Sequence, residues 1–328
     1  MGTSTTPDIS FTGQTIQHYL LQERVKRRPV SSLYLAQDTR SGEPMFIELL
    51  HTTVQEDDAL AGRFRRRMET VSKLTSPYIA PILTTSQTDE KRPFAVIKHT
   101  PGTFLADKLA EQRPSDALPD VQNALAVVRC LAQALSVAHP AGIIHHDLRP
   151  DNIYIQDNGA PYLLDLSVTI SPLPIDETIL KETQLLDYAA SEQLRGQALS
   201  GRSNIFSLGV ILYEMLTNER PRLPHSEWDI FDRRVLPKEV PLEDVRSDLT
   251  KETYELVKNC LWQQEWNRYS TIQELIQAVD DAIEAEKRGP VNTPSHAAQK
   301  KRLWQLFGLI AGGLLLILLL VTAVVLLL

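Results

Sequence analysis

The 328-residue chain is short of cysteine, of positive charge and of any apolar run near its N-terminus. Its two cysteines, Cys130 and Cys260, are far apart and lack metal-site spacing, so we expect both to be reduced, small apolar side chains. The net charge of −7 argues against a general nucleic-acid-binding protein, because such proteins carry a basic surface. Residues 1–13 are polar, and we expect no secretory signal there.

The C-terminal segment has the opposite character. Residues 306–328 carry no charge and are dominated by Leu, Ile and Val. As a helix they would extend about 34 Å, enough to cross the hydrocarbon core of a bilayer. A basic run at 300–302 and Trp304 precede them, which predicts a single transmembrane helix with its N-terminal side in the cytoplasm. The pattern leaves open a tail anchor and an outer domain beyond Leu328.

The pattern of apolar residues changes near Gly102. Before it, short apolar runs around a turn at 39–42 predict a hairpin, and the 3.6-residue spacing over 58–74 predicts one amphipathic helix. After it, long helical patterns dominate. A strand-rich subdomain followed by a helical one predicts an α+β protein. Residues 287–299, after these helices, contain Gly, two Pro, Asn, Thr and Ser, which predicts a flexible tether to the C-terminal apolar segment.

Two acids and an amide occur at the spacing that phosphoryl transfer needs. Asp147 and Asn152 lie five residues apart in the run HHDLRPDN, and Asp165 follows thirteen residues later. One carboxylate can accept the proton of a substrate hydroxyl, while the amide and the second carboxylate hold magnesium ions against the phosphate charge. These residues therefore predict where a catalytic cleft lies.

The same run resembles the catalytic loop of protein kinases, H-R-D-L-x-x-x-N. The resemblance extends from about Tyr19 to Glu284 and is densest around the loop and over 201–217, which are similar to bacterial membrane-anchored serine/threonine kinases. It implies a two-lobed kinase fold with Mg-ATP as cofactor and proteins as substrates or partners. The expected boundaries are a polar extension (1–17), a kinase-like domain (18–286, with lobes 18–98 and 101–286), a basic linker (287–303) and the transmembrane helix (304–328).

Catalytic positions of the family are largely filled. The resemblance implies that Asp147 is the proton acceptor and that Asn152 and Asp165 are the metal ligands. Arg149 stands where these kinases usually carry a lysine, and it keeps a cation near the γ-phosphate.

Neighbouring positions match the family only in part. Glu192 and Arg268 fill the positions of a buried ion pair that pins the activation segment to the helical lobe. His146 replaces the arginine that usually receives a phosphorylated activation loop. Asn204 and Leu185 stand where the family has a bracing Asp and a threonine hydroxyl, so we expect an eroded substrate platform.

The strand-rich lobe departs further from the family. The three positions of the glycine-rich loop fall on Lys26, Arg28 and Ser31, with Pro29 among them, which removes the close approach of backbone N–H groups to phosphate. The position of the phosphate-binding lysine is Glu48. A carboxylate near 4 Å from a phosphate costs about 4 kcal/mol at an effective dielectric of about 20.

The usual partner of that lysine is a helix glutamate, and its position falls on Arg67. The charges are thus exchanged, which predicts an ion pair between Glu48 and Arg67 that holds the helix in an active-like position. The alternative is that the arginines of 63–67 form one solvated basic face.

The expected hinge is formed by Ile97, Lys98 and His99. Because backbone groups do most adenine recognition there, an adenine slot is compatible with this sequence, although Mg-ATP binding is expected to be weakened.

Two functions follow. The first is a membrane-tethered pseudokinase that acts as a scaffold or regulatory module. The alternative is an active serine/threonine kinase in which Lys26, Arg28 or Arg67 supplies the missing cation. A weak nucleotide binder without phosphoryl transfer lies between them.

Overall fold

The protein has a six-stranded sheet followed by a helical lobe, as the sequence predicts. The computed structural model describes residues 10–28, 30–52, 56–113, 118–166, 187–221 and 242–289. Its strands are β1 (Thr15–Ile16), β2 (Tyr19–Arg27), β3 (Ser31–Asp38), β4 (Pro44–Leu50), β5 (Ile82–Gln87), β6 (Pro93–Lys98), β7 (Gly102–Phe104), β8 (Ile153–Gln156) and β9 (Pro161–Leu163). Its helices are α1 (Asp58–Val71), α2 (Leu105–Gln112), α3 (Val121–Ala138), α4 (Ser191–Leu194), α5 (Gly201–Thr217), α6 (Leu242–Val245), α7 (Lys251–Cys260) and α8 (Ile272–Arg288).

The first sheet is antiparallel, in the order β1-β2-β3-β4-β6-β5. The predicted hairpin joins β3 to β4, and Gly42 closes its turn with a φ of +79° that favours glycine. The register places Glu48 between Leu33 and Ala95, in the middle of the sheet. A charged side chain is therefore fixed on a central strand.

Helix α1 covers one face of this sheet. The Asp57 side chain caps its first turn by accepting a hydrogen bond from the Leu60 amide at 2.8 Å. Leu60, Phe64, Met68 and Val71 follow the helical period and are buried, and each such side chain contributes about 1.5–3 kcal/mol. The helix ends at Val71, three residues before the predicted end.

The helical lobe is built around α5, which is buried on almost all sides against α3 and α7. Gly209 allows the closest approach, since a Cβ there would lie 2.4 Å from the Cβ of Cys260. Both cysteines were expected to be buried small apolar side chains; Cys260 is buried, and burial raises the pKa of its thiol, whereas Cys130 is only half-buried. The smaller sheet, in the order β7-β8-β9, lies on the side of this lobe that faces the first sheet.

The ends of the domain differ from the expected boundaries in one place. Strand β1 pairs with β2, so the sheet starts at Thr15, inside the segment expected to be a polar extension. The segment 290–328, with the predicted transmembrane helix, lies outside the described residues. Among the described residues, Val121–Ala141 is long and apolar enough to cross a membrane, and its α3 portion is a core helix of this lobe.

Candidate active-site cleft

The cleft between the two sheets collects the predicted catalytic residues. The loop before β8 carries Asp147 and Asn152, and Asp165 follows β9 with a φ of +61°. The Asn152 side-chain amide donates to the Asp147 carbonyl at 2.8 Å and to its carboxylate at 3.1 Å. The Leu164 amide donates to the Asn152 carbonyl at 2.9 Å, which ties the loop to the segment after β9.

Asp147 is buried and already paired. Arg149 Nε lies 2.9 Å from one carboxylate oxygen of Asp147 and donates a hydrogen bond to the other at 3.1 Å. Burial raises the pKa of Asp147, and the charges of Arg149 and Arg28 offset part of that rise. The predicted proton acceptor therefore faces a neighbouring cation and is only 4% exposed.

Asn204 braces the catalytic loop despite replacing an acid. Its Oδ1 accepts from the His145 amide at 3.0 Å, its Nδ2 donates to the His145 carbonyl at 2.6 Å, and its Oδ1 also lies 3.0 Å from His139 Nε2. An amide can both donate and accept, so the expectation that this position is eroded is wrong for the brace. Leu185 lies outside the described residues.

Arg28 occupies the centre of the cleft. It is 2% exposed, and its Nε donates to Asn152 Oδ1 at 2.9 Å and lies 3.4 Å from Asp165 Oδ2. Its Nη1 lies 3.5 Å from Glu48 Oε1, which also accepts a hydrogen bond from Ser31 Oγ at 3.0 Å. A guanidinium thus lies between the two residues that the resemblance assigns to magnesium.

The predicted ion pair between Glu48 and Arg67 is wrong. Glu48 pairs with Arg28, whereas Arg67 donates from Nε to the Leu166 carbonyl at 2.5 Å and from Nη2 to the Ile144 carbonyl. Arg67 projects from α1 towards the cleft, as expected, but its long side chain reaches the backbone of the other lobe. Burial lowers the pKa of Arg67, against the attraction of Asp165.

The negative charges of Glu48 and Asp165 at the centre of the cleft are only partly neutralised by Arg28. Burial raises the pKa of Asp165 well above its usual value; Arg28 acts against this rise, and Glu48 and Asp147 add to it. Glu48 Oε2 and Asp165 Oδ1 receive no hydrogen bond from any other described residue, and a hydrogen bond between the two carboxyl groups adds to the rise in the pKa of Asp165.

Lys26 forms a further contact across the cleft. Its Nζ lies 3.0 Å from Asp151 Oδ1 and 3.8 Å from Asp107 Oδ1, and it lies over the Phe104 ring at 4.7 Å. Although burial acts to raise the pKa of Asp151, Arg149 and Lys26 together hold it below its usual value. Both basic residues at former glycine positions therefore bind the opposite lobe.

Aromatic rings fill the space beside the hinge. Phe46 on β4 and Tyr154 on β8 face each other with centroids 5.3 Å apart in an edge-to-face contact. Two more rings complete the cluster. The Phe104 centroid lies 5.1 Å from that of Tyr154, and the His99 centroid lies 4.8 Å from that of Phe46. A purine stacked between two rings would need them about 7 Å apart, so this arrangement closes the space.

The hinge residues support this closed arrangement. Ile97 is buried in the apolar cluster that contains Phe46 and Tyr154. The Lys98 amide already donates to the Pro81 carbonyl at 2.9 Å, and burial lowers the pKa of His99. None of the motifs in the sequence predicts this cluster, although the bulky Phe46 two residues before Glu48 is a signal for it.

The pair expected at the base of the activation segment is present. Arg268 donates from Nη1 and Nη2 to the two carboxylate oxygens of Glu192 at 2.8 and 3.0 Å. Although burial acts to raise the pKa of Glu192, Arg268 and Ser203 hold it below its usual value.

Comparisons with known proteins agree with this architecture. The model of the protein kinase domain family matches residues 29–279. Serine/threonine-protein kinase PknB of Mycolicibacterium smegmatis is 27% identical over 252 residues, which cover 75% of this chain and 40% of that protein. A probable serine/threonine-protein kinase of Clostridium perfringens, CPE1738, is 24% identical over 262 residues, covering 79% and 37%. The chain thus spans about two-fifths of the length of these relatives.

Solved structures show the same fold. The crystal structure of the Mycobacterium tuberculosis PknI kinase domain superposes with a TM-score of 0.62 and 20% sequence identity, covering 83% of this chain and 98% of that one. At this identity the likeness concerns the two-lobed fold alone.

Proposed function

The chain belongs to the protein kinase family, and from that premise we propose that it is a pseudokinase: a kinase-like signalling module with little or no phosphoryl transfer. The observation that carries this proposal is the position of Arg28. Its guanidinium binds Asn152 and Asp165 and pairs with Glu48, so a side chain of the protein occupies the cation position of the cleft.

Mg-ATP as a complex does not fit the residues present. The phosphate-binding lysine is replaced by Glu48, which repels phosphate. The space for a purine is closed by the contact between Phe46 and Tyr154. The donor set for a bare metal ion is different, because Asn152 and Asp165 offer hard oxygen ligands once Arg28 leaves them.

In this proposal the cleft serves to join the lobes. Lys26 and Arg28 supply two charged contacts between the first sheet and the catalytic loop, which fixes a closed arrangement without nucleotide. A fixed kinase fold can offer its outer surface to protein partners or substrates. The apolar segment 306–328 supports tethering to a membrane, and the basic run before it supports a cytoplasmic orientation of the domain.

The test combines binding and turnover. We expect no saturable heat of Mg-ATP binding in calorimetry and no thermal stabilisation by the nucleotide. Transfer of labelled phosphate to a general protein substrate should not exceed that of an Asp147→Asn variant. Transfer that the wild type performs and Asp147→Asn abolishes would overturn the proposal.

A second candidate is an active kinase with a relocated cation, and the observation in its favour is the short distance between Arg28 and Asp165. Its guanidinium lies 3.4 Å from Asp165, where a cation could also meet a phosphate after the lobes open. This candidate requires ATP-dependent transfer that is lost in Arg28→Gln and retained in Arg27→Gln, which changes the neighbouring arginine.

A further inference from the structure

Two tryptophan side chains are exposed in the segment that follows α7. Trp262 and Trp266 are 40% and 70% exposed, although tryptophan is on average a highly buried residue. They are four positions apart, so their Cα atoms lie within about 14 Å of each other. The backbone around them is held in place, because Arg268 donates from Nε to the Trp262 carbonyl at 2.7 Å. Large aromatic side chains exposed on a fixed segment indicate an interaction surface.

A surface cavity of about 510 Å³ lies next to these tryptophans, between the first turns of α5 and α8. Arg202 and Glu265 both line it, yet their side chains form no ion pair with each other or with any other residue that the structure describes. His139 also borders the cavity, and burial lowers the pKa of its imidazole, which favours the neutral form. The cavity therefore presents one positive and one negative charge that do not neutralise each other directly.

A ligand with one negative and one positive group matches these two charges. In a phosphoethanolamine or phosphocholine headgroup, the phosphate can accept hydrogen bonds from the Arg202 guanidinium, while the ammonium group pairs with the Glu265 carboxylate. An acidic peptide fits less well, because Glu265 would repel it. Tryptophan is enriched where a bilayer meets water, with its ring at the level of the headgroups. The cavity and the tryptophans thus fit the same partner, a membrane of zwitterionic phospholipids.

The length of the tether allows this face to reach a bilayer. Residues 290–305 separate the last described residue from the apolar segment 306–328. As a flexible chain these sixteen residues would have a root-mean-square length of about 20–24 Å. Helix α8 has 17 residues and extends about 25 Å from the cavity to the start of the tether. A domain held so close to a membrane has an effective concentration in the millimolar range, so even a weak contact is populated.

We propose that the face formed by Trp262, Trp266 and the cavity between Arg202 and Glu265 lies on the membrane and binds a zwitterionic phospholipid headgroup. This inference rests on the membrane tether of the proposed function and does not depend on whether the cleft transfers phosphate. It determines which side of the helical lobe faces the bilayer.

The experiment uses the full chain, labelled with 5-fluorotryptophan and inserted as single molecules into nanodiscs of phosphatidylethanolamine and phosphatidylcholine. A lipid with a spin-labelled headgroup is added, and fluorine NMR follows the four tryptophans of the chain, which single Trp→Phe variants assign. We expect the resonances of Trp262 and Trp266 to lose most of their intensity beside the spin label. Trp304, which precedes the apolar segment, should lose intensity as well and reports on the tether itself.

The headgroup site is tested by two charge-neutral variants. Arg202→Gln and Glu265→Gln should each restore part of the intensity of Trp266, because each removes one charge that the headgroup meets. Arg65→Gln, at an exposed arginine of α1 in the other lobe, is the matched control and should leave the intensity as in the wild type. Equal intensities in all four proteins would overturn the headgroup site.

The outcomes separate this inference from the tether. Loss of intensity at Trp304 alone would overturn the contact of this face and leave the tether standing, whereas no loss at any tryptophan would overturn both. If Trp262 and Trp266 keep their intensity but shift with protein concentration in detergent, the face contacts protein, and the membrane contact is overturned. If Trp262→Phe does not fold, as judged by circular dichroism, Trp266 alone decides. Phosphate transfer by the wild type would overturn the pseudokinase and leave these spectra unchanged.

Discussion

Arg28 and Asn152, which are 124 residues apart in the sequence, share a hydrogen bond of 2.9 Å across the cleft. The donor takes the place of a loop glycine, and the acceptor belongs to the catalytic loop. In a nucleotide-binding kinase the metal and the phosphates lie between such residues. Here side chains join the two lobes directly, and the contribution of each contact to the free energy of unfolding can be measured.

Lys26 should contribute to the closure of the cleft. Lys26→Gln removes a partly buried ion pair with Asp151 and the contact with Phe104, which together stabilise by about 1–2 kcal/mol. The measurement is the urea midpoint, with the exposed Lys73→Gln as matched control. A change no larger than that of the control would show that the contact stabilises nothing.

Phe46 should exclude adenine. Phe46→Ala is expected to cost about 3–5 kcal/mol and to open a space next to Tyr154 and the hinge, so that adenosine binds detectably by calorimetry. Phe94→Ala is the matched control, because Phe94 is equally buried in the apolar cluster on the other face of the sheet. It should lose similar stability and gain no adenosine binding. Adenosine binding by the wild type would contradict the role assigned to Phe46.

The buried pair of Glu192 and Arg268 should be strongly coupled. Arg268→Met leaves a buried carboxylate without its partner and is expected to cost about 3–5 kcal/mol. The double variant with Glu192→Gln should recover part of this loss, since no charge is then left unpaired. Urea unfolding of the wild type, the two single variants and the double variant gives the coupling energy. If the losses in the free energy of unfolding of the two single variants simply add up in the double variant, the two residues are not coupled.

His145 should make the protein sensitive to acid. Burial lowers its pKa from 6.5 to about 3, so the unfolded chain binds a proton that the folded protein does not bind between these values. The contribution of His145 to the free energy of unfolding is therefore complete above about pH 6.5. It falls as the pH decreases towards 3, by up to about 1.4 kcal/mol per pH unit.

The check is the difference in urea midpoint between pH 7 and pH 5 for the wild type and for His145→Gln. The variant should show a smaller difference than the wild type. An unchanged pH dependence in His145→Gln would contradict this assignment.

Much of the framework could be predicted from the sequence because it depends on local patterns. The spacing of Leu60, Phe64 and Met68 predicts α1, and the loop around Asp147 predicts where the cleft lies. These features follow from periodicity and from residue types that phosphoryl transfer requires.

The pairing inside the cleft could not be predicted in the same way. Register places Glu48 and Arg67 near the cleft, but an arginine has a long flexible side chain that can reach carboxylates or carbonyls on either side. In the structure Arg67 donates hydrogen bonds to backbone carbonyls, whereas Arg28 forms the ion pair with Glu48. Which arginine reaches the carboxylate depends on where Arg28 is held directly after β2, and that is a property of the whole fold.

The pair of Arg28 and Glu48 also restricts how this sequence can change. Glu48→Lys alone would restore the family's residue but would bury two cations side by side, and Arg28→Gly alone would leave a buried carboxylate without its counterion. Each single step costs about 3–5 kcal/mol, a large part of the stability of a typical domain. The usual phosphate-binding residues can therefore be restored only if both positions change together, because either single substitution destabilises the fold.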